Sequence, residues 1–179
     1  MSTHNNTNCG IRESQNGCRV TLEQLQVLPL YYRETIPADY IDAMGHMNVR
    51  WYMALYDQAT WHFFETLGMT ADYFQTSRAG AFALRQFLNY FSEIQEGQTV
   101  ALRTRVLGRT DKRFHFMHFM INESSNQLAS VFESMGTHAD LEKRRSAPFP
   151  DFIANALDGA LKRDQGLGWD APVSGVLNL

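Results

Sequence analysis

Residues 48–68 read NVRWYMALYDQATWHFFETLG, and this stretch decides the architecture. Asn48 is a residue type that caps a helix by accepting from its first free N–H groups, and Gly68 is a C-terminal stop. The segment therefore predicts a helix from about Val49 to Leu67. Tyr52, Leu55, Tyr56, Ala59 and Phe63 make one apolar stripe at helical spacing, while Met53, Trp61 and Phe64 line the opposite side beside Asp57. A helix apolar nearly all round is expected to be surrounded by protein. The rest of the chain has to supply that enclosure.

Downstream, period-two alternation marks four strands with one buried face each: Ala81 to Ile94, Thr99 to Leu107, Arg113 to Asn122 and Gln127 to Leu141. The joins at 95–98, 108–112 and 123–126 are short enough for hairpins, so the sheet is expected to be antiparallel. Upstream, Tyr31 to Ile36 is rich in aromatic and β-branched residues and stops at Pro37, which suits a first strand. After Pro148-Phe149-Pro150, a second amphipathic helix carries Phe152, Ile153, Ala156, Leu157, Ala160 and Leu161. The order predicts an α+β fold, with one bent antiparallel five-stranded sheet wrapped around a long central helix, plus a C-terminal helix. Its open strand edge invites pairing with a second subunit. Three regions follow: a polar N-terminal extension over 1–28, mobile or lightly docked, a body over 29–145, and a helix with tail over 146–179.

The chain has 179 residues, and 44% of them are hydrophobic, which is enough for one real core. A net charge of −3 offers a polyanion no general attraction, which argues against nucleic acid as a partner. No apolar run reaches the roughly 18 residues of a membrane span, and the N-terminus shows neither a basic head nor an apolar signal core. The cytoplasm is the expected compartment. Cys9 and Cys18 lack partners at metal spacing, and His62, His115, His118 and His138 read as packing or hydrogen-bonding residues, so no metal site is expected.

Chemistry concentrates in Tyr40-Ile-Asp-Ala-Met-Gly-His-Met-Asn48, which runs straight into the long helix. Asp42 precedes an array of unpaired backbone N–H groups, a layout suited to hydrolysis: the carboxylate attacks or activates water, and the N–H groups hold an oxyanion. The same spacing also fits a plain turn closed by Asp42 and a helix capped by Asn48.

Asp42-Ala-Met-Gly45-His46-Met-Asn48, followed by Tyr52 and Asp57-Gln-Ala59, resembles the signature of hot-dog-fold acyl-CoA thioesterases of the 4-hydroxybenzoyl-CoA thioesterase type. The resemblance covers roughly Tyr31 to Leu141. It implies that Asp42 is the catalytic carboxylate, that the Val49 backbone N–H polarises the thioester carbonyl, and that Gly45, His46, Asn48 and Tyr52 border the substrate. Val49 replaces the commoner second Asn of the signature, which bears on substrate preference more than on catalysis, because the backbone donor survives the change. The resemblance also implies a homodimer or homotetramer with its pocket at a subunit interface, and an acyl-CoA substrate. No metal or redox cofactor is needed, coenzyme A being part of the substrate.

A narrower likeness, carried by Asp111-Lys-Arg-Phe-His115, Glu133-Ser-Met135, His138, Asp140, Arg145 and Pro148-Phe-Pro150, is to the betainyl-CoA thioesterases of carnitine breakdown. A trimethylammonium group binds best on aromatic faces, and Trp51, Tyr56, Trp61, Tyr90 and Phe91 are candidates for a cage. Asp57 has three readings: a residue that orients water or a substrate group, the base itself, or a buried acid paired with an arginine. Arg103, Arg105, Arg109, Lys112 and Arg113 cluster around one hairpin, where the resemblance implies a grip on coenzyme A phosphates. The function expected is hydrolysis of a small or medium acyl-CoA, betainyl-CoA among the candidates. The alternatives are a hot-dog enoyl-CoA hydratase or dehydratase, which needs a catalytic His that only His46 offers, and a non-catalytic acyl-CoA-binding protein.

Overall fold

In the computed structural model, which describes residues 20–179, the element order is α1 (Leu22–Gln26), β1 (Leu30–Thr35), a 3-10 turn at Ala38–Tyr40, α2 (Val49–Thr66), α3 (Ala71–Ser77), β2 (Ala79–Tyr90), β3 (Thr99–Arg109), β4 (Arg113–Asn122), β5 (Gln127–Asp140), β6 (Arg145–Ser146) and α4 (Asp151–Gln165). Cys9 and Cys18 lie outside the described residues. The strands form one antiparallel sheet in the order β1-β3-β4-β5-β2, with the two-residue β6 attached to β5. The five expected strands are all present. Among the described residues no helix is long and apolar enough to cross a membrane.

The helix begins where the sequence says it should: Asn48 Oδ1 accepts from Arg50 N at 3.2 Å, and Leu67 is the C-terminal cap. Tyr52, Leu55, Tyr56, Ala59 and Phe63 pack against Phe116, Met120 and Phe132 on the concave face of the sheet, joined there by Ile153 and Leu157 of α4. One polar pin bolts helix to sheet. Thr60 donates its hydroxyl proton to the Tyr56 carbonyl, so its oxygen accepts from His118 Nε2 at 2.9 Å, and Thr104 donates to His118 Nδ1 at 2.7 Å. Burial pushes the His118 pKa down to about 3, so this imidazole stays neutral.

The opposite face of α2 corrects the expectation of an all-round enclosed helix. Met53 and Trp61 are 39% and 44% exposed, and Asp57 is exposed beside them. The sheet curls under the helix but does not close over this side.

The convex face is covered by the segment from Val20 to Leu28 and by the C-terminal tail. Val20, Leu25 and Leu28 are buried against Met117, Phe119, Ile121 and Val131, with Trp169 and Ala171 of the tail beside them. The segment just before β1 is therefore docked from Val20 onward, not mobile. Because strand β4 is covered on both faces, nine of its ten residues are buried, which hides any one-sided alternation.

Candidate active site

Asp42 is held in a tight loop closed by an isolated bridge between Ile41 and Met47. Gly45 N donates to the Asp42 carbonyl at 3.0 Å, and Gly45 takes φ +86°, a conformation that strains any residue with a Cβ. The Asp42 carboxylate accepts from Met44 N at 2.9 Å and lies 3.5 Å from Asn48 Nδ2. Asn48 thus sits between the carboxylate and the start of α2, capping Arg50 N on its other side. Val49 is the first helical residue, so its N–H has no acceptor within the helix. The result is one carboxylate in the loop that leads, through Asn48, into the positive end of an 18-residue helix.

His46 Nδ1 stands 3.9 Å from Asp42 Oδ1, too far for a hydrogen bond, while the His46 carbonyl accepts from Asp42 N. His46 shapes the turn through its backbone, and its ring lies beside the Asp42 carboxylate without a hydrogen bond to it.

A second feature lies farther along α2. A groove of about 510 Å³ runs between the helix face carrying Met53, Asp57 and Trp61 and the first half of β2, Ala79 to Ala83, over a floor of Phe114, Phe116 and Phe132. Phe74 from α3 and Leu141 close it. Asp57 is the only ionisable side chain on these walls, and among the described residues no cation pairs with it. The reading of Asp57 as a buried acid held by an arginine is therefore overturned.

The aromatic residues singled out as a cage do not meet. Trp51 stacks on Tyr40 with ring centres 3.8 Å apart, Tyr52 stands edge-on to Tyr90, and Tyr56 is buried with its hydroxyl 2.6 Å from Ser130 Oγ. Phe91 packs on the convex face. Only Trp61 lines the groove, because steps of five residues turn a helix by about 140° and scatter positions 51, 56 and 61 around it. The rings that do line the groove with Trp61 are Phe74, Phe82, Phe114, Phe116 and Phe132. Phe74 belongs to a short helix that follows its Thr70 cap, a local signal the sequence reading passed over.

A bent sheet around a helix, with an acid loop at the helix start, is a family architecture, and residues 36–157 match the model of the thioesterase-like superfamily. The chain belongs to that superfamily. Among relatives, betainyl-CoA thioesterase of Pseudomonas aeruginosa is 29% identical over 154 residues, covering 86% of this chain and 96% of its own length. The bifunctional L-carnitine dehydrogenase/betainyl-CoA thioesterase of Agrobacterium fabrum is 28% identical over 83% of this chain, a match to 30% of that longer protein. Among solved structures, a Staphylococcus aureus protein in complex with CoA superposes with TM-score 0.77 at 20% identity, over 86% of this chain and 97% of its own. A putative thioesterase of Pseudomonas putida gives 0.70 at 27% identity, over 85% and 96%.

Within this thioesterase-like chain, three of the five cations expected to grip phosphates have structural work instead. Arg103 Nη1 donates to the carbonyls of Gln26 and Leu28 and ties down the end of α1. Arg105, buried, donates to the carbonyls of Trp169 and Asp164 and lies 4.2 Å from the Trp169 ring. Arg109 grips Asp158 of α4 with two N–H groups. The outward row of β3 is thus a staple for the end of α1 and for the C-terminal region, and among the described residues the side chains of Lys112 and Arg113 make no such tie. Arg105→Ala is expected to destabilise the fold by about 1–3 kcal/mol, read as a lower urea midpoint, because the buried Asp164 carbonyl and the half-buried Trp169 carbonyl lose their donor.

Proposed function

We propose that Asp42 is the catalytic carboxylate of this protein and that the acyl group it releases carries a cation. The protein is an acyl-CoA thioesterase, freeing a carboxylic acid and coenzyme A. One observation carries the catalytic assignment: the Asp42 carboxylate lies 3.5 Å from Asn48 Nδ2, and Asn48 is the cap directly before Val49, whose N–H has no acceptor within the helix. Asp42 either attacks the thioester carbon, giving a mixed anhydride that water then cleaves, or takes a proton from the attacking water. In both routes the carbonyl oxygen gains negative charge, which the Val49 N–H and the helix dipole stabilise. A thiol-release assay over an acyl-CoA panel, run beside crotonyl-CoA hydration, separates hydrolase from hydratase and from a silent binding protein.

The acyl group is argued from the groove. Aromatic faces surround a lone carboxylate without a counter-ion, the chemistry that favours a quaternary ammonium over a neutral isostere. The named activity of the Pseudomonas aeruginosa relative points the same way. Betainyl-CoA is therefore expected to outpace its neutral isostere 3,3-dimethylbutanoyl-CoA by about two- to thirtyfold, the range that 0.5–2 kcal/mol of cation–aromatic attraction supplies. Asp57→Asn and Trp61→Leu should each erode the preference. Equal rates for charged and neutral acyl groups in the unmodified enzyme reject the cationic substrate.

Asp42 and Val49 are absent from the groove walls, and Asp57 lies eight residues past Val49, about 12 Å along the helix axis. A second copy resolves this separation. Strand β2 is 12 residues long, pairs among the described residues only with β5, and exposes Phe82 and Leu84 to 48% and 46%. Antiparallel pairing of two β2 edges about a two-fold axis sets the end of one strand beside the start of the other. Tyr90 marks the Asp42 end, through its contact with Tyr52, and Ala79 to Ala83 mark the groove. Each groove would then face the partner's loop. A homodimer is the assembly proposed, and the cytoplasm its compartment.

A further inference from the structure

Besides the indole of Trp61, the polar side chains on the groove walls are Asp57, Thr60, Gln86 and Ser134. Thr60 is committed to the Tyr56 carbonyl and to His118. Gln86 and Ser134 are not: among the described residues neither side chain has a hydrogen-bond partner, although Ser134 is only 3% exposed. A buried hydroxyl without a partner is destabilising, and a groove wall is where a ligand can complete it. The betainyl group, trimethylammonioacetyl, cannot do so. Its one hydrogen-bonding atom is the thioester carbonyl oxygen, which the catalytic reading gives to the Val49 N–H. It is also small for a groove of about 510 Å³, a size that suits a longer chain.

Strand register brings the two free side chains together. Gln86 lies directly opposite Ser134, whose other neighbour across the sheet is Phe116. Opposed residues share a face, with Cβ atoms about 5 Å apart, so an amide and a hydroxyl can grip one atom from two sides. The pairing depends on a bulge. Ala83 pairs with Gly136 and Arg85 with Met135, so Leu84 is the extra residue. Without it, the register that sets Ala83 against Gly136 would set Arg85 against Ser134. The bulge thus gives the groove a neutral amide in place of a guanidinium and turns Arg85 to the other face of the strand. Asp57 lies along the same stretch. Tyr52 meets Tyr90 and Phe64 meets Phe114, which is level with Ala83 through Gly136. Between these two anchors the helix carries Asp57 and the strand carries Gln86.

We infer that Ser134 and Gln86 read a hydroxyl group on the acyl chain, so that the preferred substrate is a cationic hydroxyacyl-CoA with a longer chain than betainyl-CoA. A hydroxyl both donates and accepts, and serine and glutamine together offer it a donor and an acceptor. The inference rests on the cationic acyl-CoA reading above: Asp57 and the aromatic rings hold the ammonium group, and the two free polar side chains hold the chain beside it.

The test measures kcat/KM for 3-hydroxy-4-(trimethylammonio)butanoyl-CoA against 4-(trimethylammonio)butanoyl-CoA, which differ only in the hydroxyl. The unmodified protein should favour the hydroxylated substrate by about tenfold or more, and in both Ser134→Ala and Gln86→Met the ratio should fall to near one. Gln86 is exposed, so Gln86→Met reads the ratio even where Ser134→Ala fails to fold. A ratio near one in the unmodified protein overturns the inference, as does a ratio that both variants leave unchanged. The neutral pair 3-hydroxy-5,5-dimethylhexanoyl-CoA and 5,5-dimethylhexanoyl-CoA separates this inference from the reading it rests on. A hydroxyl preference that persists in that pair, where the cation adds nothing to the rate, rejects the cationic acyl group and leaves the hydroxyl site standing. Calorimetry with the four thioesters reads the same preference as binding. A preference there without thiol release sinks the hydrolase reading and leaves this one standing.

Discussion

Asp42→Asn should lower kcat by about 10²–10⁴-fold while leaving the unfolding midpoint nearly where it was. The fold asks little of this side chain: its carboxylate accepts one backbone hydrogen bond, from Met44 N, and an amide oxygen can accept the same bond. The reaction asks for a base or nucleophile at neutral pH, which a carboxylate is and an amide is not. Thiol release measured beside a urea titration separates the two demands. Near-normal turnover in Asp42→Asn, together with loss in Asp57→Asn, would move the catalytic role to the helix acid. That outcome is instructive because the two carboxylates differ in setting. Asp42 sits in the loop that leads into the positive end of α2, whereas Asp57 shares a groove wall with aromatic rings.

The stretch from Tyr40 to Gly68 was readable because each signal in it is local. Asn48 caps, Gly45 and Gly68 take positive φ, and the stripe of Tyr52, Tyr56 and Phe63 has the helical period that its burial confirms. The strands after it were readable for the same reason, their ends set by short polar turns. What sequence spacing cannot show is which partner a side chain finds across the fold. Arg103, Arg105 and Arg109 alternate on β3 as a phosphate grip would, and they bind instead the end of α1, the C-terminal tail and Asp158 of α4. Likewise the rings at 51, 56 and 61 are near in sequence and far apart around the helix, while Trp61 and Phe74 meet at 5.9 Å from separate helices. Burial of Glu133 tells the same story: burial pushes its pKa up, but hydrogen bonds from His115 and from Ser174 of the distant tail outweigh that and hold the pKa below the usual value.

The open face of α2 and the open edge of β2 belong to one question, which is where the rest of the site comes from. If each site joins Asp42 and Val49 of one chain to the groove of the other, two crippled chains can repair each other. Asp42→Asn lacks the carboxylate but keeps its groove, whereas Ala54→Trp keeps the carboxylate and fills the groove, since Ala54 lies on the groove wall. Each variant alone should lose turnover by about a hundredfold or more. Mixed and allowed to exchange subunits, half of the dimers are hybrids and one of their two sites is whole, so about a quarter of wild-type activity should return. No recovery after verified exchange would place the whole site inside one chain. A companion change, Leu84→Lys, puts a charge on the exposed edge of β2 off the groove wall and should give a monomer by light scattering. That monomer should keep its fold, because the position is already half-exposed, and lose turnover with the interface. A monomer as active as the parent would sink the shared site, since its groove and its acid loop would then have met without a partner.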